Sequence, residues 1–245
     1  MEDQTEKRLK ELAMRAWNRG IPCCTDFLDL SEQTVLWRIR NTLPPVELRV
    51  FGGAEGCERR MAGFGFSQTD GFPIACLNLR PAGIKFAEEL RHRDVLGALM
   101  SLGFERSLLG DIILREKEAW IFCAERIAPV IEDNLFSVRR TSVRCTRTET
   151  PPEGALFQTE RRVIQVSSER LDALVAHAFH LSRGTAQHLF PSGKVFLDGA
   201  ECVAPDAMPG KGQIVSVRGL GRFRFEGSET FSKKGKLNTV IEMYV

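Results

Sequence analysis

The stretch that decides the fold is SERLDALVAHAFHLSRGTAQHLFPSGKVFLDGAECVAPDAMPGKGQIVSVRGLGR, residues 168–222. Leu171, Leu174, Val175 and Ala178 recur at i, i+3, i+4 and i+7, which predicts a helix after Ser168 as N-cap. A second helix is predicted after Ser182, with Ala186, Leu189 and Phe190 inward and Pro191 stopping it. Gly193 then turns the chain into a strand, Lys194–Leu197, and Asp198-Gly199 is a hairpin signal. Pro205, Pro209, Gly210 and Gly212 form another turn before an alternating strand, Gln213–Arg218. Two short helices on a small twisted β-structure make one compact module.

Basic side chains gather at the turns of this module: Arg170, Arg183, Lys194, Arg218, Arg222 and Arg224. Arg183 lies in the first turn of the second helix, where a guanidinium can make a forked contact with phosphate. Ordinary solvated charge explains any one of these residues. Their concentration on one module points to a surface that tracks RNA phosphates. Residues 158–245 hold 12 Lys/Arg against 9 Asp/Glu (+3), whereas residues 1–157 hold 22 against 23 (−1), so the overall +2 hides an asymmetry.

Upstream, the order of predicted elements is strand 72–80, helix 94–102, strands 111–115 and 119–124, helix 125–135 and strand 141–148. That β-α-β-β-α-β order is a ferredoxin-like plait, also the frame of RNA-recognition domains. Pro129 is tolerable only in the first turn of its helix, and Val130 is placed inward with Ile127, Ile131 and Leu135. Trp120 and Phe122 read as core rather than as base-stacking rings. Val46–Gly53 is an extra strand. Gly52, Gly53 and Gly56 beside Arg59 and Arg60 fit a sharp bend as well as a phosphate loop. Before this, residues 5–18 form an amphipathic helix closed by Gly20, and a second helix follows Ser31 and ends at Pro44-Pro45, with Cys23-Cys24 in the turn between.

The expected fold is therefore α+β: a helical segment (1–43), a ferredoxin-like α/β plait as an RNA-binding domain (44–150), the two-helix RNA-binding module (158–226) and a C-terminal tail (227–245) reached through a linker at 149–157. Lys233, Lys234 and Lys236 in the tail would extend the basic face. Seven cysteines without a Cys-x-x-Cys, and four scattered histidines, argue for reduced thiols and against a metal site. The N-terminus MEDQTEKRLK is no signal peptide, and no apolar run approaches a membrane span. A cytoplasmic protein without cofactor is expected.

Arg170-Leu171-Asp172, Leu181-Ser182-Arg183-x-x-Ala186-x-x-Leu189, Gly193-Lys194-Val195-x-x-Asp198-Gly199, Pro205 and Gly212–Val217 resemble the S-four RNA-binding domain, named for small-subunit ribosomal protein four. Thr185 and Pro191 stand where that family often has basic or helix-forming residues. RVFGGAEGCERR (49–60) and HRDVLGALMSLGFERSLLGDII (92–113) are similar to segments of the bacterial YlmH family, so the resemblance covers nearly the whole chain. It implies a non-enzymatic, ribosome-associated protein, and a monomer is expected. Its partners would be large-subunit rRNA, peptidyl-tRNA and quality-control factors, and it would support C-terminal tail elongation on stalled subunits. The resemblance implies Arg170, Ser182, Arg183, Lys194 and Arg218 as RNA-binding residues; Gln187 and Arg222 are expected to join them, and Arg59, Arg60, His92 and Arg93 are candidates for a second RNA surface. The rival reading is an RNA-modifying enzyme of the pseudouridine synthase type, because S-four domains accompany those enzymes and Arg170-Leu171-Asp172 mimics their catalytic aspartate. Against it, Asp172 opens a helix of the module itself, where an acidic side chain suits the dipole, and no catalytic domain follows.

Overall fold

The computed structural model describes residues 2–83, 89–149, 157, 159–232 and 235–244. The chain divides into two compact units, residues 1–156 and 157–245. Most of the linker predicted at 149–157, together with Lys233 and Lys234, lies outside the described residues.

The first unit opens with helix α1 (Glu2–Arg19), which buries Leu9, Ala13 and Ala16. It stops at Gly20, whose φ of +62° is the left-handed cap that glycine adopts without penalty. Helix α2 (Leu30–Ile39) is capped by Asp29, not by Ser31. Asp29 Oδ1 accepts from Glu32 N–H at 2.9 Å and Asp29 N–H donates to Glu32 Oε2 at 3.0 Å. This reciprocal box satisfies two end groups, where Ser31 could satisfy one. The helix ends at Ile39 in a tight turn, Arg40–Thr42, ahead of the prolines.

Both helices rest on a three-stranded antiparallel sheet in the order β1-β3-β2, made of β1 (Cys23–Cys24), β2 (Leu48–Phe51) and β3 (Met61–Phe64). Two expectations change here. Cys23-Cys24 is a paired strand, not a turn, and the Val46 strand belongs to this sheet instead of extending the plait. Leu9, Leu28, Leu36, Ala62 and Phe64 share one core, so apolar packing runs across the boundary expected at 43.

The plait consists of β4 (Ile74–Pro81), α3 (His92–Met100), β5 (Leu109–Arg115), β6 (Glu118–Ala124), α4 (Ala128–Asn134), a short β7 (Ser137–Val138) and β8 (Thr141–Arg147). Its antiparallel sheet has the order β5-β6-β4-β8-β7. The first strand thus sits between the third and fourth of the plait, as the split βαβ requires. Pro129 occupies the first turn of α4, but Val130 is 44 % exposed instead of inward.

The second unit is one six-stranded antiparallel sheet with two helices packed on it. Its elements are β9 (Thr159–Val166), α5 (Leu171–Ala178), α6 (Arg183–Leu189), β10 (Val195–Leu197), β11 (Ala200–Glu201), β12 (Ile214–Val217), β13 (Gly221–Phe231) and β14 (Leu237–Tyr244), with sheet order β11-β10-β12-β13-β14-β9. Leu171, Leu174, Val175 and Phe190 from the helices meet Val195, Val215, Phe223 and Ile241 from the sheet. The turn at Asp198-Gly199 has φ of +47° and +77°, the mirror-type hairpin expected of that pair. The residues expected to form a tail supply β14, which pairs with β13 on one side and β9 on the other, and β13 itself runs across residue 226. The last strand is therefore an interior member of the sheet.

Candidate nucleic-acid interface

Ser168 does not cap α5. Arg170 stands at the N-cap position without a side-chain bond to the helix. The first free N–H groups are instead taken by carbonyls of the 205–207 loop: Leu171 N–H to Ala207 O at 2.8 Å, and Asp172 N–H to Pro205 O at 2.9 Å. The 205–207 loop thus holds the start of α5 in place.

Asp172 has no solvent exposure, and three of the expected RNA-binding side chains converge on it. Arg170 donates Nε–H to Oδ1 (3.2 Å) and Nη2–H to Oδ2 (3.3 Å). Arg183 donates Nε–H to Oδ2 at 3.3 Å, and Gln187 donates Nε2–H to Oδ2 at 2.8 Å. Burial by itself would raise the carboxyl pKa. The bonds from Gln187, Arg170 and Arg183 outweigh it and hold Asp172 below the usual range. The carboxylate thereby fixes two guanidinium groups that still reach solvent, with side-chain exposures of 34 % for Arg170 and 53 % for Arg183. Sequence reasoning placed Asp172 at the helix dipole; it missed this anchoring role, for which the spacing Asp172, Arg183, Gln187 gives no signal short of three dimensions.

The remaining candidates of the module are distributed differently. Ser182 Oγ caps α6, accepting from Thr185 N–H at 3.1 Å and lying 2.7 Å from Thr185 Oγ1. Thr185, at a position often basic in the S-four pattern, is thus part of the cap. Lys194 is exposed, and its carbonyl accepts from Arg218 N–H at 2.8 Å. Val217 and Phe223 point into the core, so their neighbours Arg218 and Arg222 lie on the other side of the sheet. Arg170, Ser182, Arg183 and Gln187 therefore form one group on the helices, and Arg218 and Arg222 another on the face turned away from them.

In the first unit, Arg59 is committed to structure. Its Nε–H donates to Leu109 O at 2.9 Å, and Nη2 to Phe27 O (3.1 Å) and Arg106 O (3.4 Å). Burial holds its pKa below the normal arginine value, with Asp29 and Asp111 opposing the shift. Arg106 lies beside it, pushed down to about 10, first by burial and then by Arg59. Arg60 donates Nε–H to Cys57 O at 2.7 Å. His92 and Arg93 begin α3 and are both exposed. These four residues thus differ: Arg59 is half-buried and bonded to three backbone carbonyls, whereas His92 and Arg93 are exposed.

The glycines beside Arg59 have a packing reason. A Cβ on Gly53 would sit 2.3 Å from Phe122 Cδ1, and one on Gly52 would sit 2.5 Å from Arg59 O. Phe122 is accordingly buried, as expected, under this bend. Trp120, on the same side of the sheet, is only half-buried. It is aligned with Ile113 and Asn78, and Arg80, two residues beyond Asn78 on β4, faces Arg144 on β8. On this side of the sheet Trp120 is thus a partly exposed ring.

The described residues contain no cluster of three or more His, Cys, Asp or Glu able to hold a metal ion, and no helix long and apolar enough to cross a membrane.

An α+β chain with a ferredoxin-like plait and a helix pair that displays anchored arginines has the make-up of an RNA-binding protein. Residues 68–151 match the family model described as "Putative RNA-binding domain in YlmH", which spans the plait. Among curated proteins, the chain is 29 % identical over 223 residues to "Ribosome-associated protein quality control protein P2" of Bacillus subtilis, covering 89 % of this chain and 86 % of that one. Among solved structures, it is similar to "Cell division protein ylmH from Streptococcus pneumoniae", at 18 % identity and a TM-score of 0.48, over 60 % of this chain and 90 % of that one. The chain is thus similar to a YlmH RNA-binding domain over residues 68–151 and to the Bacillus subtilis protein over most of its length.

Proposed function

We propose that this chain is a non-enzymatic RNA-binding factor of the large ribosomal subunit. It would contact rRNA and tRNA, and act in ribosome-associated quality control by supporting elongation of a C-terminal tail on stalled subunits. The observation that carries the RNA-binding part is the Asp172 anchor, which presents Arg170 and Arg183 at the start of two helices. A guanidinium already oriented loses less entropy on meeting a phosphate than a free one does. The ribosomal part is supported by the name of the Bacillus subtilis relative and by its coverage of the chain. The same anchor speaks against the modifying-enzyme alternative. A catalytic aspartate must reach a substrate, and Asp172 is fully buried under three donors.

The test is sedimentation of the full chain with purified large subunits at rising salt. Binding should weaken steeply as salt rises, because phosphate contacts release counterions. Arg183→Glu should abolish most of it. Retention of full binding by that variant would remove the helix pair from the interface. A single rRNA modification missing in a deletion strain, seen by mass spectrometry, would overturn the non-enzymatic reading.

A further inference from the structure

The sheet of the plait has one side that α4 covers and one that it does not. Along β8, Thr141, Val143 and Cys145 are buried, whereas Ser142, Arg144 and Thr146 are exposed. Because α4 packs on β8 and β4, the buried residues mark its side and the exposed ones the other. Register carries that open side across the sheet: Thr146 faces Asn78, Asn78 faces Trp120, and Arg144 faces Arg80. The Gly52-Gly53 bend closes one end of it over Phe122. The arginine end is uncovered: the Arg80 side chain is 63 % exposed, and Arg144 is exposed.

Two arginines directly opposite on neighbouring strands repel each other, which works against the sheet. Glu118 relieves this in part. Its Oε2 accepts Nε–H of Arg80 at 3.0 Å and Nδ2–H of the buried Asn78 at 3.2 Å. The carboxylate is thus engaged from two sides, and it fixes Arg80 by Nε alone. Arg144 makes no hydrogen bond or ion pair among the described residues. Along this row Arg115, Arg80 and Arg144 stand against the single carboxylate of Glu118. The β5–β6 turn beyond adds one charge of each sign, Glu116 and Lys117. Asp111, farther back on β5, is buried and accepts from the N–H groups of Glu58 and Arg59. The uncovered end is therefore positive.

An anion between Arg80 and Arg144 would turn their repulsion into two attractions, and the guanidinium fork suits a phosphate. Trp120 is the diagonal neighbour of Arg80, and such neighbours lie about 7–8 Å apart, within reach of rings and long side chains. An acidic peptide would use the arginines alone. A nucleotide uses the ring as well, with its phosphate on the arginines and its base against the indole. A duplex keeps its bases stacked on one another, so the fit is to an unpaired strand.

We propose that the uncovered end of this side, made by Arg80, Arg144 and Trp120, takes a phosphate and its nucleoside from an unpaired RNA strand. It rests on the RNA-binding reading above and uses neither Arg170 nor Arg183.

The test measures binding of the full chain to a fluorescent, unstructured RNA dodecamer. Arg144→Glu should weaken it about tenfold and Arg144→Gln about threefold. Arg15→Glu, on α1, makes the same change in net charge and should stay within twofold of wild type. The thermal midpoint of Arg144→Glu should not fall, because the new carboxylate stands opposite Arg80. Ultraviolet irradiation with a 4-thiouridine form of the dodecamer should attach RNA to Trp120, as peptide mass spectrometry would record. Unchanged binding in both Arg144 variants overturns the inference, as does a loss no greater than that of Arg15→Glu, or crosslinks confined to residues 157–245. Normal RNA binding by Arg144→Glu beside lost binding of polyglutamate would assign this end to an acidic protein instead. Loss in Arg183→Glu without loss in Arg144→Glu overturns this inference and leaves the RNA-binding reading standing. A wild-type chain that binds neither the dodecamer nor large subunits overturns both.

Discussion

Arg183 places its Nε 3.3 Å from Oδ2 of Asp172, across eleven residues of sequence, and thereby ties the start of α6 to the start of α5. Arg170 meets the same carboxylate from the other side with two bonds. The two arginines are not equivalent. Arg170 uses Nε and Nη2 on both oxygens and is 34 % exposed. Arg183 uses Nε alone and is 53 % exposed.

Arg183 should therefore carry more of the RNA contact and Arg170 more of the structure. Arg183→Ala is expected to lower RNA affinity about tenfold and to reduce the slope of log affinity against log salt by about one. Its stability should stay within about 1 kcal/mol of wild type, because Arg183 supplies a single bond and Asp172 keeps those from Arg170 and Gln187. Arg170→Ala should cost about 1–2 kcal/mol in urea denaturation, with a smaller effect on the salt slope. If Arg170→Ala changed the salt slope and Arg183→Ala did not, the roles assigned here would be reversed.

Asp172→Asn keeps the shape but removes the charge that holds both guanidinium groups. A loss of about 1–3 kcal/mol is expected, because hydrogen bonds to a buried charge are replaced by weaker neutral ones. The pH dependence has a definite sign. The carboxyl pKa in the folded protein lies below its unfolded value, so ionisation stabilises the fold. That contribution is fully present above the unfolded value, near 3.9, and is lost as pH falls through the lower folded value. The gap in urea midpoint between wild type and Asp172→Asn should hold steady from pH 7 to about pH 5 and close below about pH 4. A gap that widened on acidification would contradict the anchor.

The thiols give a chemical readout of burial. Cys57, Cys123 and Cys145 are buried, and burial is the largest cause that pushes each up to about 12. Because the thiolate is the nucleophile, these three should resist iodoacetamide at pH 8 in the folded protein. Cys23 and Cys202, which are only half-buried, should label first, as peptide mass spectrometry would record. Early labelling of Cys57 would mean that the bend around Gly52 opens readily.

Much of this architecture is legible from periodicity. The apolar spacing of α5 and the strand–helix order of the plait need no tertiary information. What the sequence hides is where a polar side chain ends up. Arg59, Arg60 and Arg183 look alike as letters, yet Arg59 is spent on three backbone carbonyls and Arg183 on a buried carboxylate. The strand Met61–Phe64 is buried at every position, so it shows no alternation by which to recognise it. Ser31 and Ser168 both look like caps. Asp29 takes the first role through a partner three residues on, and the 205–207 carbonyls take the second from the far side of the module.

Two glycines with opposite surroundings test the bend over the plait. Gly53 has φ of +105°, and a Cβ there would lie 2.3 Å from Phe122, a ring that is itself 1 % exposed and has nowhere to move. Gly53→Ala combines a left-handed backbone with a core clash, so a loss of at least about 2 kcal/mol is expected. Gly97 lies in α3, where an added methyl would meet nothing within 4 Å and the backbone has no positive φ. Gly97→Ala should stabilise by about 0.5–1 kcal/mol, because alanine restricts the unfolded chain and suits the helix. Thermal or urea unfolding of the two variants reads the difference directly. If Gly53→Ala were neutral in stability but lost RNA binding, the glycine bend would be a phosphate loop and the packing explanation would fall.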